Sequence, residues 1–203
     1  MAHIPAFIQQ IDDAWMGAFH TATNPALDWA AWILSTCGWL GLCWWVVAAV
    51  IWKRGDRLLA AQVALSMVVG GVLAEAVKFA VHRVRPSQVL PQYIHVVLPN
   101  LPDTHWSFPS GHAVLAASAA FAILFASHKR YAWWLVAVAL LIGWSRIYEG
   151  MHWPSDVLAG FCIGIVAAVM AVVARPKLES LSVFNRSQAR AAQRSAPEIT
   201  PAP

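Results

Sequence analysis

The chain has 203 residues, of which 59% are hydrophobic, 12% are charged and twelve are Trp. Its mean hydropathy is positive, at +0.56. This composition lies far outside the range of soluble domains of similar length, so it excludes a soluble globular protein and favours a protein embedded in a bilayer. The formal net charge is +4, but no basic stripe with interleaved aromatic residues precedes the tail, so nucleic-acid binding is not predicted.

Residues 1–28 have the pattern of an amphipathic helix, with apolar side chains at helical spacing and polar side chains on the opposite face. The apolar residues are Ile4, Phe7, Ile8, Ile11, Trp15, Ala18 and Phe19, and the polar ones are Gln9, Gln10, Asp12 and Asp13. The pattern predicts a helix lying in the membrane interface; a helix packed on the protein's own bundle is the alternative. No cleavable signal peptide is predicted, because the first apolar run begins beyond residue 28 and no basic segment precedes it.

Five long apolar segments follow, at residues 30–52, 58–80, 110–127, 131–147 and 157–174. Each is close to the roughly 20 residues that a helix needs to cross the hydrocarbon core, although the third and fourth are short. The sequence therefore predicts an all-α, polytopic membrane bundle of about five transmembrane helices, formed by residues 29–175. Residues 176–203 are rich in Ser, Ala, Gln, Arg and Pro, which predicts a disordered cytoplasmic tail.

Basic residues are distributed unevenly between the two ends of these segments. If the first segment runs from outside to inside, ten of the fourteen Lys and Arg fall on one side and four on the other. The ten are Lys53, Arg54, Arg57, Lys129, Arg130, Arg175, Lys177, Arg186, Arg190 and Arg194, and the four are Lys78, Arg83, Arg85 and Arg146. Because cytoplasmic loops carry an excess of Lys and Arg, the side with ten is predicted to be cytoplasmic.

Three polar blocks interrupt the apolar sequence, and all three lie at segment ends on the side with four basic residues. They are Lys78 with Arg85-Pro86, then Pro109-Ser110-Gly111-His112, then Ser145-Arg146 with His152 and Asp156. Together they supply three cations, two imidazoles, a carboxylate and a Gly-containing turn. This is the inventory needed to hold a phosphoryl group, attack it and protonate its leaving group.

The order and spacing of the three blocks resemble the full signature of the type 2 phosphatidic acid phosphatase superfamily, which also includes bacterial acid phosphatases and vanadium haloperoxidases. All three blocks match, from Lys78 to Asp156, somewhat over a third of the chain. The resemblance implies a phosphatase in which His152 is the nucleophile and forms a phosphohistidine, His112 is the general acid, and Asp156 orients the nucleophile. It also implies phosphate binding by Lys78, Arg85, Ser110, Gly111 and Arg146. No metal and no other cofactor is implied.

The residues themselves are compatible with these roles, and each has a simpler alternative. Ser110 and Gly111 precede a predicted helix, where unpaired amides and the helix dipole favour anions, but Ser110 is equally suited to an N-cap. His112 would then be an ordinary interface histidine. Lys78 is three residues from Glu75, which allows a local ion pair. Asp156 has the position of a helix-start acid.

Four further residues are predicted as possible headgroup contacts, and they are His82, Arg83, His105 and Glu149. Compactness, five spans and an outward-facing site are similar to the undecaprenyl pyrophosphate phosphatases of the superfamily. The predicted substrate is therefore undecaprenyl pyrophosphate, at the outer leaflet of a bacterial inner membrane. Phosphatidylglycerophosphate, phosphatidic acid and lipid A phosphate are alternative substrates. A lipid phosphotransferase and a noncatalytic lipid-phosphate binder or flippase are alternative functions.

Overall fold

The computed structural model describes residues 4–20, 24–90, 106–127 and 130–180, and the regular secondary structure within these ranges is entirely helical. The helices are α1 (Ala6–His20), α2 (Pro25–Gly38), α3 (Leu42–Lys53), α4 (Arg57–Val81), α5 (Pro86–Val89), α6 (Gly111–Ser127), α7 (Ala132–Tyr148), α8 (Pro154–Val173) and α9 (Arg175–Ser180). The predicted all-α fold is confirmed.

The apolar helices follow the five predicted segments. By length and composition, three helical stretches among the described residues suit a membrane crossing: Pro25–Lys53, Arg57–Val89 and Pro154–Val173. The other two apolar helices, α6 and α7, are shorter, with 17 residues each. Large apolar side chains point outward from the bundle, as at Phe79, Trp134 and Val173. This surface is suited to lipid contact, as expected for a polytopic membrane protein.

A break divides the first apolar segment, which was predicted as one helix over residues 30–52. Leu40 and Gly41 have left-handed backbone angles, with φ of 48° and 68°, and they separate α2 from α3. A Cβ on Gly41 would lie 2.7 Å from Cε of Met67 on α4. Glycine therefore allows both the left-handed turn and the close approach to α4. Prediction of a single uninterrupted helix was wrong at this point.

Helix α1 packs on the bundle and also exposes an apolar face. Phe7, Ile11 and Trp15 are exposed, whereas Asp12 and Met16 are buried. The exposed apolar face is the one predicted to lie in the interface. Burial of Asp12 was not predicted, because the sequence pattern assigned it to the polar, water-facing side.

The tail begins with structure that was not predicted. Residues 176–180 belong to α9, where Arg175 Nε pairs with Glu179 Oε1 at 2.9 Å, one helical turn away. These residues are helical, and the disordered cytoplasmic tail stays a prediction. The remaining part of that prediction, residues 181–203, lies outside the described residues.

Helices α6 and α8 approach each other closely through glycine. A Cβ on Gly160 would lie 2.7 Å from the carbonyl oxygen of Ser110, and a Cβ on Gly164 would lie 2.6 Å from that of Val114. Small residues four apart on one helix face permit this kind of backbone contact in membranes. The contact sets Ser110, at the start of α6, beside the first turns of α8.

Chain direction then brings four helix ends to one end of the bundle. These are the C-terminal ends of α4 and α7 and the N-terminal ends of α6 and α8. Hydrogen bonds join them: Ser110 N donates to Asp156 O at 3.0 Å, and Ser87 N donates to Gly150 O at 3.0 Å. The three polar blocks therefore converge at this end.

The close contact of α6 and α8 makes Gly164 sensitive to the smallest substitution. We expect Gly164→Ala to destabilise the protein by about 1–3 kcal/mol, because its Cβ would overlap the backbone of α6. Gly17→Ala is the matched control, since nothing lies within 4 Å of a Cβ at Gly17. Thermal unfolding in detergent should show a lower midpoint only for Gly164→Ala. Equal midpoints for both variants would contradict the packing described here.

Candidate active site

The second block begins helix α6, as predicted. Ser110 is fully buried, and its Oγ lies 3.5 Å from Ala113 N, a long contact for an N-cap. A Cβ on Gly111 would lie 3.7 Å from Nζ of Lys78, so the ammonium group stands directly beside the helix start. The positive end of the helix dipole and this ammonium group together favour an anion.

Lys78 also makes the local ion pair that the sequence allowed. Its Nζ lies 2.9 Å from Oε1 of Glu75. The Lys78 side chain is buried, whereas that of Glu75 is 54% exposed. An exposed partner compensates a buried ammonium group only in part, because solvent screens the carboxylate. Lys78 therefore combines the ion pair with a position at the start of α6.

The His152 imidazole is buried and held at both nitrogens. Its Nδ1 lies 2.8 Å from the carbonyl oxygen of Ser107, and its Nε2 lies 3.2 Å from Nη1 of Arg85. A carbonyl only accepts and a guanidinium only donates, so in the neutral ring Nδ1 carries the proton and Nε2 carries the lone pair. In this tautomer, the lone pair on Nε2 can act as a nucleophile.

Arg85 is fixed by backbone carbonyls as well as by His152. Nη1 donates to Met151 O at 2.9 Å, and Nη2 donates to Trp106 O at 3.2 Å. The side chain is buried. A guanidinium held at two carbonyls needs no reorganisation to bind an anion next to Nε2 of His152.

Asp156 is fully buried beside the imidazole. Oδ2 accepts hydrogen bonds from Ser107 Oγ and from Trp153 N, the latter at 2.9 Å, while Oδ1 accepts from Arg83 Nη1 at 2.6 Å. The distance from Oδ2 to His152 Nδ1 is 3.7 Å. Ser107 is therefore the direct hydrogen-bond partner of Nδ1, and the carboxylate holds Ser107 in place while lying close enough to stabilise positive charge on the ring.

Arg83, predicted as a possible headgroup contact, makes ion pairs within the protein. Its side chain is buried, with Nη1 donating to Ser155 Oγ at 2.7 Å and to Asp156. Nη2 donates to Gln9 Oε1 at 2.8 Å and to Asp12 Oδ2 at 2.6 Å. The guanidinium is committed to an internal network because the two buried carboxylates need a cation between them.

Arg146 is held between α2 and the loop after α7. Nη1 donates to Oε2 of Glu149 at 2.7 Å and also to Oγ of Ser35. Both Arg146 and Glu149 are buried. Glu149, predicted as a possible headgroup contact, is thus the ion-pair partner of Arg146.

The remaining histidines differ in position. His112 is half-buried against α2, where a Cβ on Gly38 would lie 2.9 Å from Cδ2 of the ring. His82 ends α4 in a left-handed conformation, with φ of 53°, and its ring meets that of Trp106 edge-on at 4.6 Å. His105 lies outside the described residues.

The site thus brings the three blocks together. Arg85 contacts His152, Ser110 contacts Asp156 through the backbone, and Lys78 stands beside Gly111. Among the described residues, sequence reasoning missed five that support the site: Gln9, Asp12, Ser35, Ser107 and Ser155. Two of them, Ser107 and Ser155, had a signal, because they lie close to the second and third blocks in the sequence. Within the described ranges, no cluster of three or more His, Cys, Asp or Glu is arranged to bind a metal ion.

The chain is similar in sequence to known proteins of Sulfolobus acidocaldarius and Bacillus licheniformis. The undecaprenyl-diphosphatase of Sulfolobus acidocaldarius is 36% identical over 119 residues, which are 57% of this chain and 54% of that protein. The bacitracin transport permease protein BcrC of Bacillus licheniformis is 27% identical over 179 residues, 86% of this chain and 85% of that protein. The chain therefore spans about half the length of the archaeal relative and most of the bacterial one.

A solved structure supports the fold. The PAP2 type phosphatidylglycerolphosphate phosphatase of Bacillus subtilis aligns with a TM-score of 0.69 at 23% identity, covering 87% of this chain and 90% of that chain. At this identity the likeness shows the fold alone. The family model for the PAP2 superfamily matches residues 59–180, more than half of the chain, and this range contains all three polar blocks. The chain belongs to the PAP2 superfamily.

Proposed function

We propose that the protein is a membrane phosphatase that hydrolyses a lipid phosphate or pyrophosphate, with undecaprenyl pyrophosphate as its substrate. One observation carries the proposal: the Ser107 carbonyl holds the proton of His152 on Nδ1, which leaves the lone pair on Nε2 beside Arg85. An imidazole in this tautomer, next to a phosphate-binding cation, is suited to attack phosphorus.

Hydrolysis proceeds in two steps. His152 Nε2 bonds to phosphorus while the bond to the leaving oxygen breaks, and His112 gives that oxygen its proton. The product is a phosphohistidine. Water then attacks phosphorus, His112 takes a proton from it, and the P–N bond breaks to release inorganic phosphate and restore His152. His112 acts first as an acid and then as a base, so each cycle consumes only the substrate and one water molecule.

Cationic side chains stabilise the charge on the transferring phosphoryl group. Arg85, Lys78 and Arg146 are all buried, and the amides at the start of α6 add donors that need no reorganisation. Asp156 lies 3.7 Å from Nδ1, where it stabilises the positive ring of the intermediate.

Sequence similarity supports the choice of substrate. One relative is named undecaprenyl-diphosphatase, and BcrC relatives of this chain include one named undecaprenyl-diphosphatase BcrC. Phosphatidylglycerophosphate, phosphatidic acid and lipid A phosphate require the same chemistry and are the alternatives, as is transfer of the phosphoryl group to an acceptor other than water. A noncatalytic binder or flippase is less well supported, because binding alone needs the cations and not an imidazole fixed in one tautomer.

The distribution of charge supports an extracytoplasmic site in a bacterial inner membrane. Among the described residues, Lys53, Arg54, Arg57, Arg130, Arg175 and Lys177 lie at the helix ends opposite the three blocks. The basic side chains at the site end are buried in ion pairs or hydrogen bonds. By the positive-inside tendency, the site end faces away from the cytoplasm.

Substitution of the nucleophile tests the mechanism. We expect His152→Ala to reduce phosphate release by more than about 10³-fold, since no covalent intermediate forms. Asp156→Asn should reduce it by about 10³- to 10⁴-fold, because Ser107 and the ring lose their anchor. His128→Ala, outside the three blocks, is the control and should retain activity. Near-normal turnover by purified His152→Ala would refute the role of His152.

Phosphate release without added metal tests the electrostatics and the substrate together. Purified protein in detergent with a chelator should release phosphate from undecaprenyl pyrophosphate faster than from phosphatidylglycerophosphate, phosphatidic acid or lipid A. Orthovanadate should inhibit, because it adopts the five-coordinate geometry of an in-line transition state. Activity that is lost on chelation and restored by magnesium would contradict the proposed role of the cations. Preference for another lipid would replace the substrate and leave the chemistry intact.

Thiol labelling tests the sidedness. Gln88 on α5 and Lys53 at the end of α3 are both exposed and lie at opposite ends of the bundle. In a background without the native residues Cys37, Cys43 and Cys162, Gln88→Cys should react with an impermeant maleimide added outside intact cells. Lys53→Cys should react only after the membrane is opened. Labelling in the reverse order would overturn the extracytoplasmic site.

A further inference from the structure

Helix α1 contributes a buried carboxylate to the scaffold of the site. Asp12 is 1% exposed. Its Oδ1 accepts from Ser155 N at 2.9 Å, and its Oδ2 accepts from Ser155 Oγ at 2.6 Å and from Arg83 Nη2 at 2.6 Å. Ser155 lies in the first turn of α8, one residue before Asp156. Asp12 therefore binds the start of the helix that carries the catalytic carboxylate.

Arg83 continues this contact to the nucleophile. Its Nη2 lies 2.6 Å from Oδ2 of Asp12, and its Nη1 lies 2.6 Å from Oδ1 of Asp156. Its carbonyl oxygen accepts from Ser107 N at 2.7 Å. The carbonyl oxygen of Ser107 in turn accepts a hydrogen bond from Nδ1 of His152. An unbroken chain of buried contacts therefore runs from α1 to the imidazole.

This network contains more negative than positive charges. Two carboxylates, Asp12 and Asp156, share one guanidinium, Arg83, so the formal sum is −1 + 1 − 1, or one net negative charge. All three side chains are buried, where charge interactions are stronger than in water. His152 becomes positively charged when Nε2 bonds to phosphorus, and the excess negative charge favours that state.

We propose that Asp12 is a positioning residue for the phosphoryl transfer, acting through Arg83 on Asp156 and Ser107. Helix α1 thereby contributes to the positioning of the reacting groups. This inference rests on the proposed function, because it assigns Asp12 a role in that same reaction. Asp12 does not touch the substrate. It fixes the orientation and charge of the groups that hold His152.

The isosteric variant Asp12→Asn removes one negative charge with little change in volume. Asp13→Asn is the matched control, since Asp13 is the neighbouring residue, is exposed and accepts a hydrogen bond from Gln9 at 2.9 Å. Both variants and the wild-type chain are to be purified in full length in detergent. Phosphate release from farnesyl pyrophosphate gives kcat and KM, and calorimetric titration with orthovanadate gives an affinity and the number of binding sites.

We expect Asp12→Asn to lower kcat by about 10- to 100-fold, with KM within about twofold of wild type, because a small displacement of the nucleophile affects the transition state and not the bound substrate. Its vanadate Kd should rise by a similar factor while the number of sites is unchanged. Asp13→Asn should match wild type. A purely structural role for Asp12 would instead reduce the number of sites and leave the Kd and the kcat per site unchanged, which would overturn the proposal.

Failure of the proposed function has a different signature. A wild-type chain that binds vanadate but releases no phosphate from farnesyl pyrophosphate, undecaprenyl pyrophosphate, phosphatidylglycerophosphate, phosphatidic acid or lipid A would count against the phosphatase assignment. The vanadate Kd of Asp12→Asn relative to Asp13→Asn would still decide whether Asp12 positions the oxyanion site.

Discussion

Among the described residues, four cationic side chains are buried at one end of an apolar helical bundle, and the energetic cost of that burial organises the site. An unpaired charge in such a position is strongly unfavourable, so each cation requires a fixed partner. Lys78 pairs with Glu75, Arg83 with two carboxylates, and Arg146 with Glu149. Arg85 is held by backbone carbonyls and His152. The partners that compensate the buried charges also fix the geometry of the proposed phosphate site.

The same network determines which nitrogen of His152 can react. Asp156 holds Ser107, and the Ser107 carbonyl holds the proton on Nδ1. A direct hydrogen bond from the ring to the carboxylate would give the same tautomer and would bring the negative charge of Asp156 closer to the ring. In this structure Asp156 pairs with Arg83 and holds Ser107, and its Oδ2 lies 3.7 Å from Nδ1 of His152. Preorganisation of this kind lowers the cost of reaching the transition state.

The sequence predicted the apolar helices and the phosphate-type chemistry because both depend on local signals. Apolar runs of sufficient length predict membrane helices, and the three blocks retain their spacing in the chain. Partners that depend on tertiary contact were not predictable. Asp12 and Asp13 are adjacent and identical in type, yet Asp12 is buried and Asp13 is exposed. Only the docking of α1 against α8 distinguishes them, and no periodicity encodes that docking. Similarly, Arg83 lies between Lys78 and Arg85 in the sequence, which favoured a contact with substrate. Its two carboxylate partners, Asp12 and Asp156, are distant in sequence and come close only in the folded protein.

Trapping of the covalent intermediate tests the proposed role of His152 most directly, because the fixed tautomer makes Nε2 the nitrogen that attacks phosphorus. The purified chain would be mixed briefly with a ³²P-labelled polyprenyl pyrophosphate, quenched in alkali and digested, and the labelled peptide identified by mass spectrometry. We expect label on Nε2 of His152 that is stable to alkali, lost in acid and absent from His152→Ala. Label on another residue, or phosphate release by wild-type protein with no label on His152 under any quench time, would contradict it.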